Sequence, residues 1–496
     1  MRRFVIMIAV YTACCSAWVA AAPPERMSGR LQQYDEPIEQ LRANRGRPAQ
    51  ASYQDARRGG YQQNRRASYN SGRPAAYYEG PQQQPSSRLT QQTQQTPPPM
   101  DYQDAPPSGP QGPVAEEWQP GFDDGYYGGG DCGDCGDCCC NTLFPQPGFW
   151  GRAEYLYWWV RGMHVPPLVT TSPQGTPQID AGVLPEATIL FGDQRLNQSG
   201  RSGGRFTLGY WFNGCCQPTG IESSFFFLGQ VEEQYYNSSQ GNPILARPFF
   251  NAETPGQDSN LIAYPDIVRG EIGIQATSRV YGGDVNFRRV LFVDCNRRYD
   301  LIVGYRYFQL LEGLNINTNT VSEDTQSPVT VGTTFNITDS FTTRNNFNGG
   351  QVGINAKYNH GYWTLDLLAK LAIGNMSQQV DINGTTIKTS PGAASTIEKG
   401  GILALDTNIG TYNRNDFSVL PELGVGLEYQ LTPLWRLNFG YTLLRLSNIV
   451  RPGDQIDMNV SPNQFPPRIN GAYPQFAFNI SELWLQGINF GIECNF

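Results

Sequence analysis

The densest run of chemically capable side chains is Asp131-Cys132-Gly133-Asp134-Cys135-Gly136-Asp137-Cys138-Cys139-Cys140. Thiolates at these spacings suit a soft metal, and the repeated aspartates offer oxygen ligands to Ca²⁺. An exported, oxidising compartment instead favours disulfides. The candidates are Cys132, Cys135, Cys138, Cys139, Cys140, Cys215, Cys216, Cys295 and Cys494. In the topology built below all nine fall at one end, which suggests bonds tying the N-terminal segment to a rim. An odd number leaves one thiol or an intermolecular bond, and spacing does not fix connectivity. Disulfides are the expectation, and no metal or cofactor is assigned.

A second set carries charge of both signs on the polar faces of alternating segments. It comprises Arg152, Glu154, Arg205, Asp284, Asp300, Arg306, Lys357, Asp366, Lys370, Glu422, Glu428, Arg436 and Glu493. If those faces enclose a lumen, the charges line a narrow selective pore or pair into a polar plug. Abundant glycine on the same faces favours the pore. The sum of the charges selects neither anions nor cations.

Catalysis has little to draw on. The histidines are His164 and His360, and no paired-histidine motif accompanies them. Hydrolases of this setting need a nucleophile or activated water with a base. The expectation is that the chain is not an enzyme.

The elements that must position these residues are strands. Ile488, Phe490, Ile492, Cys494 and Phe496 alternate with Asn489, Gly491, Glu493 and Asn495, a period of two with one apolar and one polar face. Similar segments are Arg152–Arg161, Arg205–Phe212, Ile221–Gly229, Gln275–Phe287, Tyr299–Phe308, Val352–Tyr358, Trp363–Ile373, Leu423–Leu431 and Trp435–Leu443. Connections between them alternate long and short. Short periplasmic turns with long external loops, closed by a C-terminal aromatic residue, mark an outer-membrane barrel. The reading is therefore all-β: a closed antiparallel transmembrane barrel of about ten strands, with twelve possible if a long loop hides a hairpin. An even number puts both termini in the periplasm. Tyr210, Phe212, Tyr299, Tyr358, Trp363, Tyr429, Trp435 and Phe496 sit beside short connections with apolar parity, as an aromatic girdle requires. Phe496 is the expected assembly signal.

Composition agrees. Charged residues are 16% of the chain and its net charge is −8, so nucleic acid is not an expected partner. Arg2 and Arg3 precede an apolar stretch ending in Val19-Ala20-Ala21, a signal peptide over 1–21. No other apolar run is long enough for a spanning helix. Residues 22–148 are rich in Gln, Pro, Arg and Gly and should be disordered. That segment is a solvated linker or, through its arginines, a contact for cell-wall polymer or lipid head groups. The barrel then occupies 149–496. Outer-membrane lipid, the barrel-assembly machinery and a further copy of the chain are the other expected partners.

Several stretches resemble one family. They are Trp150-Gly151-Arg152-Ala153-Glu154-Tyr155-Leu156-Tyr157-Trp158-Trp159, Pro166-Pro167-Leu168-Val169-Thr170-Thr171, Leu190-Phe191-Gly192, Gly204-Arg205-Phe206-Thr207-Leu208-Gly209-Tyr210-Trp211, Ala246-Arg247-Pro248-Phe249-Phe250-Asn251 and Val450-Arg451-Pro452-Gly453-Asp454. Together they are similar to putative beta-barrel porin family seven, over roughly Phe149 to Phe496. The resemblance implies an outer-membrane barrel. Its name suggests a porin-like passive channel for small solutes; a non-conducting adhesive barrel displaying long loops is the alternative.

Overall fold

The computed structural model describes residues 143, 145–212, 218–465 and 470–496. The signal peptide, the Gln/Pro/Arg-rich segment up to residue 142, the cysteine cluster and Cys215–Cys216 lie outside them. The described residues form strands, turns and short 3₁₀ segments, with no α-helix.

Ten long strands make the wall: β1 (Gly148–Val160), β2 (Gly200–Trp211), β3 (Thr219–Ser239), β4 (Val268–Val293), β5 (Arg297–Ser322), β6 (Thr334–His360), β7 (Trp363–Thr389), β8 (Gly410–Gln430), β9 (Trp435–Val450) and β10 (Ile480–Asn495). Each pairs antiparallel with its chain neighbours, and β1 pairs with β10, so the hydrogen-bonded ring is complete. Ring formation leaves no open edge at this level, the condition for a sheet to stand in lipid. The register is set by the alternation: Tyr155 faces Phe490 and Tyr157 faces Ile488, so apolar side chains share the outer face.

Strands β4 to β7 run 26 or 27 residues, where about ten span a bilayer. They are at least twice the length that the sequence pattern predicts, and the long connection expected between Phe308 and Val352 shrinks to 323–333. The cause is a reversal of polarity along single strands. On β7 the outer face reads Trp363, Leu365, Leu367, Ala369, Leu371, Ile373, then Asn375, Ser377, Gln379, Asp381. Its inner face reads Asp366 and Lys370, then Ala372, Met376, Val380 and Ile382, the last four buried. One half is apolar outside and charged inside. The other is polar outside and apolar inside, as in a soluble protein.

The outer apolar band is continuous around the ring. Phe206, Phe225, Phe287, Val303, Ile354, Leu427, Phe439 and Phe490 are all exposed on it. At its lower rim aromatic rings touch across strands: Phe149 and Tyr210 at 4.7 Å, Tyr299 and Tyr358 at 5.9 Å, Trp363 and Tyr429 at 4.7 Å. These belong to the girdle that the sequence pattern places beside the short connections.

Candidate functional site: the barrel interior

The interior is built in layers. Nearest the termini, eight guanidinium or ammonium groups meet eight carboxylates. All thirteen residues read from the sequence as charged lumen positions are here, in three groups. Arg152 bonds Glu493 at 2.6 Å and Glu428 at 2.7 Å, with Lys357 on Glu428 at 2.7 Å, Asp366 near Lys357 at 3.5 Å and Arg436 near Glu493 at 3.4 Å. Arg306 bridges Asp284 at 2.6 Å and Glu422 at 2.7 Å; Lys370 approaches Asp284 at 3.3 Å. Arg205 lies 3.8 Å from Glu154 and 4.0 Å from Glu422. In the third group Arg288 holds Glu222 at 2.8 Å and Asp300 at 2.5 Å, and Arg298 holds Asp300 at 2.7 Å.

Each group balances to zero. A desolvated carboxylate or guanidinium is costly alone and tolerable when paired and hydrogen-bonded. The neutral amides Asn286 and Asn355 stitch the groups together by accepting from or donating to Glu222, Arg288 and Asp366. The arrangement encloses a cavity of about 100 Å³ lined by Arg152, Glu154, Arg306, Lys370 and Glu422 among others. That is room for a few waters.

Glu222, Arg288 and Arg298 were not foreseen. The segments Gln275–Phe287 and Tyr299–Phe308 leave both arginines in the connection between them; the actual turn is 294–296. Glu222 lies between the apolar Ile221 and the Ser223-Ser224 pair, where the inward parity is readable only once the strand is extended back to Thr219.

Above the charges lies an apolar layer. Leu156, Trp158, Phe226, Val280, Phe308, Phe347, Met376, Leu444 and Leu485 meet across the bore. Phe308 and Phe347 have no solvent exposure. Trp158 fits because Gly487 on the neighbouring strand has no side chain: a Cβ there would lie 2.5 Å from the indole Cδ1. The indole N–H donates to Asn489 Oδ1 at 2.7 Å.

The third layer is supplied by the long connections, which turn inward. Val169–Thr171, Thr188–Phe191, Leu245–Asn251, Gly256–Ala263 and Asn459–Val460 form a five-stranded sheet of their own. The hairpin Leu245–Asn251/Gly256–Ala263 is thus a hidden one, inside the ring rather than in its wall. Leu168, Phe191, Leu245, Phe249, Ile262, Val460 and Phe465 pack against wall residues Ile274, Ile316, Phe335, Phe341 and Ile382.

Wall carboxylates fix this plug. Asp339 on β6 lies 2.7 Å from Arg247, and its Oδ1 accepts the N–H groups of Ile402, Leu403 and Ala404 at 2.9, 2.9 and 2.7 Å. Glu312 on β5 accepts from both Nε and Nη2 of Arg451, at 2.8 and 2.7 Å. Arg451 also donates to the carbonyl oxygens of Arg161 and Gly162. Arg247 and Arg451 belong to the loop stretches that resemble the family, so those stretches are plug and latch.

Of the cysteines, Cys295 and Cys494 are described and both are free thiols, Cys295 exposed and Cys494 buried. The other seven candidate cysteines lie outside the described residues; Cys494 is covered on the outer face beside Trp435 and Gly151, away from Cys295 at the β4–β5 turn. Phe496 is 64% exposed, its N–H donating to Phe149 O at 2.8 Å. His164 is exposed, 3.7 Å from Asp193, and His360 is exposed as the last residue of β6.

A complete strand ring, an outer apolar band with an aromatic rim and inward charge define a transmembrane β-barrel of the outer-membrane class. The chain belongs to the family Putative beta barrel porin-7 (BBP7), whose model matches residues 150–496. Among solved structures it is similar to the outer membrane protease OmpT of Escherichia coli, with 10% identity and a TM-score of 0.32, covering 70% of this chain and 97% of that one. A Pseudomonas aeruginosa FadL homologue follows at 7% and 0.20, covering 71% and 90%. The Pseudomonas putida toluene transporter TodX matches at 7% and 0.16, covering 71% and 91%. No curated protein matches the sequence.

Proposed function

We propose that this chain is an outer-membrane barrel whose bore is sealed at rest and whose tall upper half is displayed outside the cell, with both termini in the periplasm. The observation that carries this reading is the layered filling of the interior: paired charges, then Trp158, Phe226, Phe308 and Phe347, then the inward-folded sheet. A passive channel needs a continuous wet path, and apolar side chains meeting across a bore close one. The reading is thus a non-conducting barrel with a structural or adhesive surface role. The proposal includes no enzymatic activity. Outer-membrane lipid and the barrel-assembly machinery are its partners, with the N-terminal segment available to cell-wall polymer.

A porin-like passive channel for small solutes is the second reading, favoured by the family's description. It requires the plug to leave its latches. Planar-bilayer recording of the folded protein separates the two. Absence of steady conductance is expected; open-channel currents from the unmodified protein would overturn the sealed reading.

A further inference from the structure

On β1, β9 and β10 the apolar band ends at Trp159, Leu443 and Ile488, and a distinct cluster follows. Arg161 lies next past Trp159 on the outer face, and its backbone N–H donates to Trp484 O at 2.9 Å. Trp484 is also the register partner of Arg445, whose guanidinium sits 5.1 Å from the indole centroid. Trp484 is therefore flanked by an arginine on each neighbouring strand. A third arginine, Arg195 in the first long connection, donates to Gly162 O at 3.1 Å.

The charges do not cancel. Glu482 takes Arg445 through two contacts, the shorter 2.5 Å. Neither Arg161 nor Arg195 has an ion-pair partner among the described residues. Burial lowers the Arg195 pKa, and the like charges of Arg161 and Arg451 lower it further against the opposing pull of Asp454. Arg161, Arg195, Arg445 and Glu482 together carry two excess positive charges. Arg161 and Arg195 thus stand open at the rim of the apolar band.

Height and chemistry agree on the occupant. A lipid whose acyl chains lie along Trp159, Tyr441, Leu443 and Ile488 has its head group at the level of the next outward side chains. Guanidinium groups bind phosphate oxygens through paired N–H donors, and an indole suits the boundary between chains and head groups. We propose that the Arg161–Trp484–Arg445 face docks the phosphate of a lipid whose head group is net negative, in the leaflet away from the chain termini. This rests on the barrel's membrane reading and is independent of whether the bore conducts.

Native mass spectrometry of the full chain, released from micelles supplied with phosphatidylglycerol or phosphatidylcholine, tests it. A heat-modifiable gel band first establishes that the barrel is folded, so failure of the membrane reading is seen separately. Phosphatidylglycerol should be retained about tenfold better, and the double variant Arg161→Gln/Arg445→Gln should lose most of that preference. Arg344→Gln, an exposed outer-face arginine on β6, should leave it unchanged. Equal retention of both lipids, an undiminished preference in the double variant, or full displacement by inorganic phosphate would each overturn the proposal. Should the double variant not fold, the wild type still decides: the preference must fall steeply at about 0.5 M NaCl, and indifference to salt counts against it.

Discussion

Arg451 and Glu312 meet in the barrel interior at 2.7 Å, joining the last long connection to a wall strand 139 residues earlier in the chain. The pair is almost wholly buried, so each partner answers for the other's desolvation. Replacing Glu312 by Gln leaves a buried guanidinium uncompensated and should cost about 3–5 kcal/mol. Urea titration followed by limited proteolysis within 451–479 should show that connection released at lower denaturant than in wild type. Unchanged protection would separate the pair from plug stability.

Asp339 should respond in a graded way. Asp339→Asn keeps an oxygen for the N–H groups of Ile402, Leu403 and Ala404 but strands Arg247. Asp339→Ala loses both functions, and orphaning a buried donor adds about 1–3 kcal/mol. The alanine variant should therefore unfold at lower urea than the asparagine variant. Bilayer recording of either is the sharpest test of a latent channel, since loosened latches should give transient currents if the bore can open.

The polarity reversal on β7 fixes where the membrane ends. Leu371→Lys places a charge on the apolar band and should cost about 2–4 kcal/mol. Ser377→Lys, three outward positions further along the same face, should change stability by less than about 0.5 kcal/mol. Equal effects measured by denaturant midpoint would mean the boundary is elsewhere.

Phe496→Ala tests the assembly role. The side chain is exposed and leaves no cavity, so refolded protein should lose less than about 1 kcal/mol. Yield of the heat-modifiable form in cells should drop instead. Normal cellular yield would remove Phe496 as an assembly signal.

Asp454 supplies a pH signature in the plug. Burial is the main cause pushing its carboxyl above the usual value, with Arg451 opposing. The folded state then holds the proton more tightly than the unfolded chain, so ionisation works against the fold. Its contribution should decline as pH rises from about 3.9 through the elevated folded value and stay flat above. Asp454→Asn should abolish that slope and be neutral or slightly stabilising at pH 7, read as urea midpoint against pH.

The lower half of this architecture was legible in sequence because lipid outside and polar groups inside give each strand an unambiguous parity. Arg152, Glu154 and Glu493 could be assigned inward from that parity alone. The upper half was not. Past Ile373 the apolar parity moves to the inner face, so a reading that follows the apolar side sees the strand stop. The plug was hidden for a different reason: Leu245–Asn251 is buried on nearly every residue and shows no alternation. That Arg152 finds Glu428 and Glu493 across distant strands is a matter of ring closure, which local spacing does not encode.

The crossover on β7 between Ile373 and Asn375 also divides how the molecule can be taken apart. Below it, cohesion belongs to whatever amphiphile wraps the ring, and chaotropes have little apolar interior to dissolve. Above it, the interior is the kind that urea solvates, and detergent is irrelevant. A single hydrogen-bonded ribbon thus crosses from one solvent's jurisdiction to another's. An unravelling front that starts at the crown has a natural place to halt, leaving a short membrane ring standing after its tower has melted.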